Sequence, residues 1–460
     1  MFVKPENYTN DYLLATPRGA ELAEVMAAAI QAVDAENAVR RYLRIEKNFL
    51  RVGNRQFNLD DIKRLIVVGA GKAGAAMAKA AAEILGEKIT GGIVITKDGH
   101  SDAKSYGGVE IVEAAHPVPD ERGVTASKRL EELVSDLNEN DFVLVLISGG
   151  GSALSTLPAD DLTLADLQKL TRQLLRCGAT IDEINCLRKH LTELAGGGLA
   201  QKAFPAQICS LIISDVVGSP LGVIASGLTA PDSTTFADVR RVVERYELAA
   251  ELPPAISEHL RRGLRGEIPD TPKADDKLWK NVSNFIIADN PAAAESAIEK
   301  AREFDFDAEI LTVCLEGEAS QAGRDIAAIA RNFSQNNLDK PLLLVAGGET
   351  TVTVKGDGKG GRNQELALGA VKDLSGLENV VLATLATDGG DGAGDAAGAV
   401  VDGKTLESAE TLGFEAEDFL RRNDSYNFFE PLGALLKPGA TLTNVNDLLF
   451  VLITPPNHEK

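Results

Sequence analysis

The sequence has few cysteines and no long apolar segment. Its four cysteines lie far apart and form no C-x-x-C pair: Cys177, Cys186, Cys209 and Cys314. Neither a disulfide framework nor a thiolate metal site is therefore expected. No apolar run approaches the roughly 18 residues that a membrane-spanning helix requires, and the N-terminus lacks the apolar core of a secretory signal. We expect a cytoplasmic protein with no membrane partner.

Positive charge is also scarce. Lysine and arginine number 47 against 68 aspartates and glutamates, which gives a net charge of −21. A chain this acidic repels a phosphate backbone at long range, so nucleic acid is not expected as a partner. A local basic cluster can still reverse the field inside one cleft. The expected partner is a small molecule, and a homo-oligomer is compatible with the sequence.

Glycine is abundant, with 43 residues, and apolar runs alternate with helical patterns. After a helical segment over residues 16–48, buried strands are predicted at 64–68, 92–96, 109–114, 142–147 and 208–213. Helical stretches lie between several of them, near 72–85, 121–137 and 163–194. Strands separated by helices indicate βαβ units, so the predicted fold is α/β, with a Rossmann-like, mainly parallel sheet.

A second α/β domain is expected after a segment rich in proline and charge. We place the boundary there, giving an N-terminal domain over residues 1–255 and a C-terminal domain over residues 256–460. Apolar runs restart with "NFIIADN" and continue to "LLFVLITPP". The pair "LLLVAGGET/TVTVKGDG" resembles two adjacent strands joined by a short turn. The second sheet is therefore predicted to be mixed, with helices packed on it.

The stretch "VVGAGKAG" combines a strand end, a glycine turn and a helix start. Gly69, Gly71 and Gly74 have the G-x-G-x-x-G spacing of dinucleotide sites, and Lys72 lies on the turn. A nicotinamide site needs an acidic residue about 20 positions later, where only Asp98 qualifies. Alternatively, the turn holds a phosphate at a helix N-terminus, or the glycines serve only close packing.

Further candidate binding residues follow predicted strands or lie on a predicted helix. "SGGGSAL" offers the Ser148 and Ser152 hydroxyls and the Gly149 and Gly150 backbone to an anion, as loops after parallel strands do. Arg188, on a predicted helix, could clamp a carboxylate with its two-pronged guanidinium, although a solvated basic patch is the alternative. Asp215, at a strand end, is well placed for magnesium or a substrate hydroxyl, with a helix cap as the alternative. For His116 and His190, the favoured interpretation is a hydrogen-bonded structural histidine.

Two later stretches are more specific. "GGETTVTVKGDGKGGRNQE" puts Glu349 at a strand end and Arg362 at a helix start. "ATDGGDGAGDAAGA" puts Asp388 and Asp391 in a glycine loop after a strand. Magnesium binds one or two carboxylates together with phosphate oxygens, and an arginine nearby can neutralise a transferring phosphoryl group. The two aspartates are the predicted metal ligands, with a set of structural turns as the alternative.

These motifs occur in the order found in the class II glycerate 2-kinases, whose C-terminal part is called the MOFRL domain, and the chain resembles that family over nearly its whole length. The resemblance implies two α/β domains with the active site in the cleft between them. It also implies transfer of the γ-phosphate of ATP to the 2-hydroxyl of D-glycerate, with Mg²⁺, giving 2-phosphoglycerate.

The resemblance further implies that Lys72 and Arg362 are essential. Asp215 and Asp388 are the candidates for the base. The expected nucleotide-binding residues are Gly69, Gly71, Gly348, Glu349, Asn363 and Asn446. Two other functions stay open: an NAD(P)H-dependent hydroxypyruvate reductase, which is how family members have often been labelled, and a non-catalytic module that binds a phosphorylated metabolite.

Three residues differ from the usual family pattern. Ala195 stands where a lysine precedes the glycines of "GGGLA", Ser219 stands where an aspartate follows "DVVG", and Leu228 replaces a proline after "IASG". We expect these positions to reshape the pocket for the acceptor.

Overall fold

A computed structural model describes residues 3–159 and 161–455 of the chain. The chain forms two compact units, one of Ala35–Ile287 and one that joins Met1–Asp34 to Ala288–Lys460. This division differs from the predicted boundary between residues 255 and 256. The helix Gly19–Ala32 packs on the helix Asn290–Glu303, which brings the N-terminus into the second unit. The strand Val282–Ala288 joins the first sheet, which keeps the predicted linker in the first unit.

The N-terminal part of the chain forms three helices: α1 (Asp11–Leu14), α2 (Gly19–Ala32) and α3 (Ala35–Tyr42). The helical segment predicted over residues 16–48 contains α2 and α3. Its last part is extended, because a small antiparallel sheet begins at Leu43. That sheet contains β1 (Leu43–Glu46), β2 (Phe49–Val52) and β3 (Arg55–Asn58). This sheet was not predicted, since strands this short carry little periodic signal.

The first unit is named here the seven-stranded unit after its main sheet. The strands of this sheet are β4 (Arg64–Ala70), β5 (Gly91–Lys97), β6 (Ser105–Tyr106), β7 (Val109–Ala114), β8 (Asp141–Ile147), β9 (Gln207–Ile213) and β10 (Val282–Ala288). Their order is β10-β9-β8-β4-β5-β7-β6, and the five strands from β9 to β7 pair in parallel. All five predicted strands are thus confirmed, as is the mainly parallel sheet.

The helices of the seven-stranded unit after α3 are α4 (Gly74–Leu85), α5 (Glu121–Val134), α6 (Gly151–Leu154), α7 (Leu164–Arg176), α8 (Ile181–Leu191), α9 (Gly198–Ala203), α10 (Phe236–Arg245) and α11 (Pro254–Leu264). The segment predicted as one helix over 163–194 is two helices, α7 and α8. Each begins at a threonine capping box, formed by Thr163 with Asp166 and by Thr180 with Glu183, so the second box restarts the helix after a break.

The second unit is named the six-stranded unit. Its strands are β11 (Asp307–Leu315), β12 (Leu342–Gly348), β13 (Val380–Ala386), β14 (Gly398–Asp402), β15 (Leu435–Leu436) and β16 (Asp447–Ile453). Its helices, besides α1 and α2, are α12 (Asn290–Glu303), α13 (Ala319–Ser334), α14 (Arg362–Leu374), α15 (Thr405–Thr411), α16 (Ala416–Arg422) and α17 (Ser425–Phe429).

The sheet of this unit is mixed, as predicted. Its order is β11-β12-β16-β13-β14-β15, with β11 and β12 parallel and the other pairs antiparallel. The predicted hairpin after β12 is wrong, because β12 pairs with β11 and β16 and the segment 349–361 contains only an isolated bridge from Thr351 to Glu318. That segment carries four glycines, which favour an irregular path over a strand.

Short 3-10 turns complete the list of elements: Pro5–Tyr8, Leu59–Asp61, Gly86–Lys88, Ile224–Ser226, Leu248–Ala250 and Lys277–Asn281. Each sheet carries a buried core on its faces, with β8, β12, β13 and β16 buried along their whole length. In the part of the chain that the structure describes, no helix has the length and apolar character to cross a membrane.

Candidate active site

The turn after β4 and the loop after β8 interlock at one edge of the seven-stranded sheet. Because β4 and β8 are parallel neighbours, with Ala70 opposite Ile147, both connections leave the same edge. The Lys72 amide donates to the Gly149 carbonyl at 2.8 Å, and the Ala73 amide donates to Ser148 Oγ at 3.0 Å. Two stretches predicted from the sequence as separate anion-binding loops are thus one structure.

Close packing explains the glycines of this structure. A Cβ at Gly69 would lie 2.1 Å from the Leu146 carbonyl oxygen, and one at Gly71 would lie 2.1 Å from Ser148 Oγ. A Cβ at Gly149 would lie 1.9 Å from Asp215 Oδ2, which places Asp215 against the loop. Gly69 lies inside the strand ladder, so its glycine is required by the sheet whether or not a nucleotide binds.

The Lys72 ammonium has no hydrogen-bond or ion-pair partner among residues 3–159 and 161–455, whereas its carbonyl accepts from His100 Nδ1 at 3.0 Å. Its stem lies beside Gly150, where a Cβ would be 3.4 Å from Lys72 Cγ and 2.9 Å from His116 Nε2. Burial, together with the charges of Lys72, Lys97 and His100, lowers the pKa of His116 to about 4. Lys72 and Lys97 therefore place positive charge close to His116, which favours a nearby anion.

Asp98, the residue required for a nicotinamide ribose, is engaged elsewhere. Its carboxylate accepts two hydrogen bonds from the Arg122 guanidinium, at 2.7 and 2.8 Å. This ion pair lowers the pKa of Asp98, with the Arg122 hydrogen bond as the main cause. Because both oxygens of Asp98 are paired with Arg122, the carboxylate that a dinucleotide site needs for its ribose is already engaged.

The three basic residues of α8 lie in three environments. Lys189 pairs with buried Asp232 at 3.2 Å, and buried His190 contacts the Cys186 carbonyl through Nδ1 at 2.9 Å. Arg188 lines a cavity of about 290 Å³ together with Ser152 and Ala195. Burial lowers the pKa of Arg188, and among the described residues its guanidinium has no partner.

Ser152 Oγ lies at the wall shared by this cavity and the Gly149–Gly150 loop. It contacts Ser226 Oγ at 2.8 Å, and Ser226 Oγ donates to Asn185 Oδ1 at 3.2 Å. Of the three positions that differ from the family pattern, Ala195 lines the cavity. Ser219 does not line it and donates to Ser214 Oγ. Leu228 is buried in the core.

In the six-stranded unit, three strand ends meet around Arg362. The register puts Asp447 opposite Gly348 of β12 and opposite Ala386 of β13. Arg362 Nε donates to Asp447 Oδ2 at 2.6 Å, and the guanidinium also contacts Glu349. Burial raises the pKa of Asp447 to about 6, while the Arg362 charge opposes that rise.

Asp447, in the stretch "TNVNDL", was not among the predicted site residues. Its position at the first residue of a buried strand was the available signal. His116 was also missed as a neighbour of Lys72, because the contact joins segments that are distant in sequence.

The two predicted metal ligands differ in their surroundings. The Asp391 carboxylate accepts from the amides of Asn363 (3.0 Å) and Gln364 (2.9 Å) in the first turn of α14, and it is buried. This is the geometry of a helix cap supplied by a distant residue. Asp388 is only half-buried and accepts one hydrogen bond, from Gly390 N at 3.1 Å. Metal binding by the pair stays a prediction, and Asp388 is the member with oxygen lone pairs to offer.

The remaining predicted nucleotide-binding residues all have scaffold contacts. Gly348 has φ 150° and packs so closely that a Cβ would lie 2.3 Å from Leu315 N. Asn363 donates to Asp391, and the Asn446 carbonyl accepts from Thr387 Oγ1 at 2.6 Å. Among the residues that the structure describes, no group of three or more histidines, cysteines and carboxylates forms a preassembled metal site.

Comparisons with known proteins cover most of the chain. Residues 21–261 match a family described as a domain of unknown function (DUF4147), and residues 342–447 match the MOFRL family. The chain is 45% identical to the D-glycerate 2-kinase of Thermotoga maritima over 94% of this chain and 97% of that protein. It is 40% identical to the glycerate 2-kinase of Pyrococcus horikoshii over 94% of this chain and 96% of that protein.

A solved structure agrees with these matches. The crystal structure of glycerate kinase from Thermotoga maritima superposes with a TM-score of 0.84 at 43% identity, covering 95% of this chain and 100% of that one. A protein of Agrobacterium vitis, 40% identical over 85% of this chain and 99% of its own length, is provisionally named a hydroxypyruvate reductase. With its relatives aligned over nearly their full length, this chain belongs to the family of class II glycerate 2-kinases.

Proposed function

We propose that the protein transfers the γ-phosphate of ATP to the 2-hydroxyl of D-glycerate, giving 2-phosphoglycerate, with Mg²⁺. The observation that carries this proposal is the ammonium of Lys72, which has no ion-pair partner among the described residues and belongs to a turn bonded to the Gly149–Gly150 loop, in a protein of net charge −21. Such a cation at the carboxyl end of a parallel sheet suits a phosphoryl group.

At the Lys72 turn, the protein's own groups act by position and charge. Lys72 stabilises the negative charge that spreads over the transferring phosphoryl oxygens. Ser148, which is buried and accepts from Ala73 N, holds the turn in shape rather than contacting the ligand. The carboxylate of Asp215, placed by its contact with Gly149, is one candidate for taking the hydroxyl proton.

For the acceptor, Arg188 supplies the carboxylate-binding group. Its guanidinium has a fork geometry that matches a carboxylate, and Ser152 on the same cavity wall offers a hydroxyl. With alanine at position 195, the cations that line this cavity are Arg188 and the exposed Arg172. This arrangement supports binding of a small hydroxy acid with its carboxylate directed toward Arg188.

For the nucleotide and the metal, the six-stranded unit supplies carboxylates. Half-buried Asp388 and exposed Glu349 follow β13 and β12, whose ends lie side by side through β16. These oxygens fit Mg²⁺, which would neutralise phosphate charge when bound. Arg362 is held in a fixed orientation by Asp447, so it can face a phosphate without first becoming ordered. Whether Asp388 also acts as the base stays open.

The product distinguishes this proposal from its rivals. Purified protein is incubated with ATP, Mg²⁺ and D-glycerate, and 2-phosphoglycerate is separated from 3-phosphoglycerate by chromatography. The proposal predicts 2-phosphoglycerate and ADP in equal amounts. Formation of the 3-isomer, or no phosphorylated product from a folded protein that binds ATP, would refute it. We also infer that the reaction takes place in the cytoplasm, in keeping with four unbonded cysteines.

A further inference from the structure

The cavity lined by Arg188 is larger and more apolar than a glycerate site needs. Its walls come mainly from α7 and α8 and include Leu167, Leu170, Leu174, Ile184, Leu187 and Leu191. Glycerate carries a hydroxyl or carboxylate on each of its three carbons, so it gains little from such walls. The volume of about 290 Å³ is near the lower end of the range for small-molecule pockets, roughly 300–1,000 Å³.

Most polar groups that line this cavity already form hydrogen bonds within the protein. The hydroxyls of Thr156, Thr171 and Thr192 donate to backbone carbonyls at 2.8–2.9 Å. Gln168 Nε2 donates to the Pro119 carbonyl at 2.8 Å. The charged group left to face the apolar walls is the Arg188 guanidinium, while Arg172 lies exposed at the rim.

An arginine that is largely removed from water without an anion is unfavourable, and a bound anion would compensate it. A ligand that satisfies this cavity must therefore carry an anionic head that forms two hydrogen bonds and an apolar body that replaces water against the leucines. A carboxylate head fits one unshared guanidinium and adds only one negative charge to an apolar cavity.

We propose that this cavity binds an aliphatic monocarboxylate, with its carboxylate on Arg188 and its chain between α7 and α8. The competition that follows rests on the proposed function: because Arg188 is also the proposed ligand of the acceptor carboxylate, the aliphatic acid excludes D-glycerate. It does not exclude ATP, whose proposed contacts are at other residues.

The first test measures binding without catalysis. Butanoate, hexanoate, octanoate and octanol are titrated into the full-length protein by calorimetry. Each added methylene is expected to strengthen binding about threefold to fourfold until the cavity is full, and octanol is expected to bind at least about tenfold more weakly than octanoate. Equal binding of octanol and octanoate, or no octanoate binding, would overturn the proposal.

Variants locate the site. Arg188→Met is expected to remove the preference for octanoate over octanol, and Thr171→Phe is expected to fill the cavity and abolish binding of both. Lys169→Phe puts the same side chain on the exposed side of the same helix and should bind octanoate like the wild type. If Arg188→Met does not fold, Thr171→Phe and its control still decide the matter, since unchanged binding in Thr171→Phe would contradict the proposal.

Kinetics separate this inference from the proposed function. In the active enzyme, octanoate should raise the KM for D-glycerate without changing kcat, and inhibition should not be relieved by ATP. If no kinase activity is found but octanoate binds through Arg188, the proposed function fails and the ligand site stands. If the kinase is active but octanoate does not compete with D-glycerate, the shared use of Arg188 is wrong.

Discussion

The two units differ in the charges that lie beyond the carboxyl ends of β4 and β8 and of β12 and β13. In the seven-stranded unit, Lys72 has no ion-pair partner among the described residues, and the pKa values of His100 and His116 are lowered, by burial and by neighbouring positive charge. In the six-stranded unit, Arg362 is enclosed by carboxylates, and burial raises the pKa values of Asp391 and Asp447. One edge therefore favours an anion directly, whereas the other attracts a cation.

This difference gives separate tasks to Lys72 and Arg362, which the sequence presents as two equivalent cations. The Lys72 charge is available to a phosphoryl group without breaking any contact. The Arg362 guanidinium forms ion pairs with Asp447 and Glu349. It therefore contributes a donor group held in a fixed position rather than an unneutralised charge. The same reasoning makes magnesium useful at the six-stranded unit, where carboxylates alone would repel a polyphosphate.

The largest effect on activity and stability is expected when Arg362, the cation paired with Asp447 and Glu349, is removed. Arg362→Met should lower kcat about a hundredfold or more and should also destabilise the protein by about 3 kcal/mol, because buried Asp447 loses its partner. Denaturant unfolding and steady-state kinetics measure both effects. The double variant Arg362→Met with Asp447→Asn should regain most of the stability but not the activity. Full stability in the single variant would contradict the enclosed arrangement.

Removal of the Lys72 charge should lower kcat and leave the stability of the protein unchanged. Lys72→Met should lower kcat about a hundredfold, since one transition-state contact is lost. The melting temperature should stay the same, because the turn is held by backbone and serine hydrogen bonds. Lys79→Met is the matched control: it breaks a surface ion pair with Glu36 and should leave kcat intact. Near-normal turnover in Lys72→Met would remove that residue from the site.

The two aspartates of the glycine loop, Asp388 and Asp391, are expected to respond differently to the same substitution. Asp388→Asn should raise the magnesium concentration for half-maximal activity about tenfold, because a ligand oxygen loses its charge, with no change in stability. Asp391→Asn should instead reduce the free energy of unfolding by about 1–2 kcal/mol, because one of the two oxygens that accept from the Asn363 and Gln364 amides becomes an NH2 group and leaves a buried amide without its acceptor. If only Asp391→Asn changes the magnesium dependence, the assignment is reversed.

The smallest effect concerns pH. The pKa of His116 is about 4 in the folded protein, against an ordinary value of 6.5. Between these values the unfolded chain binds a proton that the folded chain does not, so stability falls as the pH drops through this window and levels off below it. His116→Asn should therefore lose less melting temperature than the wild type between about pH 7 and pH 4.5. An identical loss in both proteins would show that the pKa of His116 is not lowered in the folded protein.

Much of this arrangement is visible in the sequence, and the rest depends on long-range packing. Apolar runs locate the central strands because buried parallel strands are apolar on both faces. The unit boundary lies after residue 287 rather than 255 because β10 joins the first sheet. The N-terminal helices belong to the second unit because α2 packs on α12, a contact between segments more than 250 residues apart. Glycine and charge patterns point to Lys72 and Arg362. They do not distinguish a capping aspartate from an available one, since Asp391 and Asp388 lie in the same loop.

The most direct test of the account compares two reactions in one preparation of the wild-type protein. ATP-dependent phosphorylation of D-glycerate is followed through ADP release, and hydroxypyruvate-dependent oxidation of NADH or NADPH is followed by absorbance. We predict phosphorylation that requires Lys72 and no measurable oxidation, because the Asp98 carboxylate is paired with Arg122 rather than available to a ribose. Oxidation faster than phosphorylation would contradict the assignment of the Lys72 turn to phosphoryl transfer.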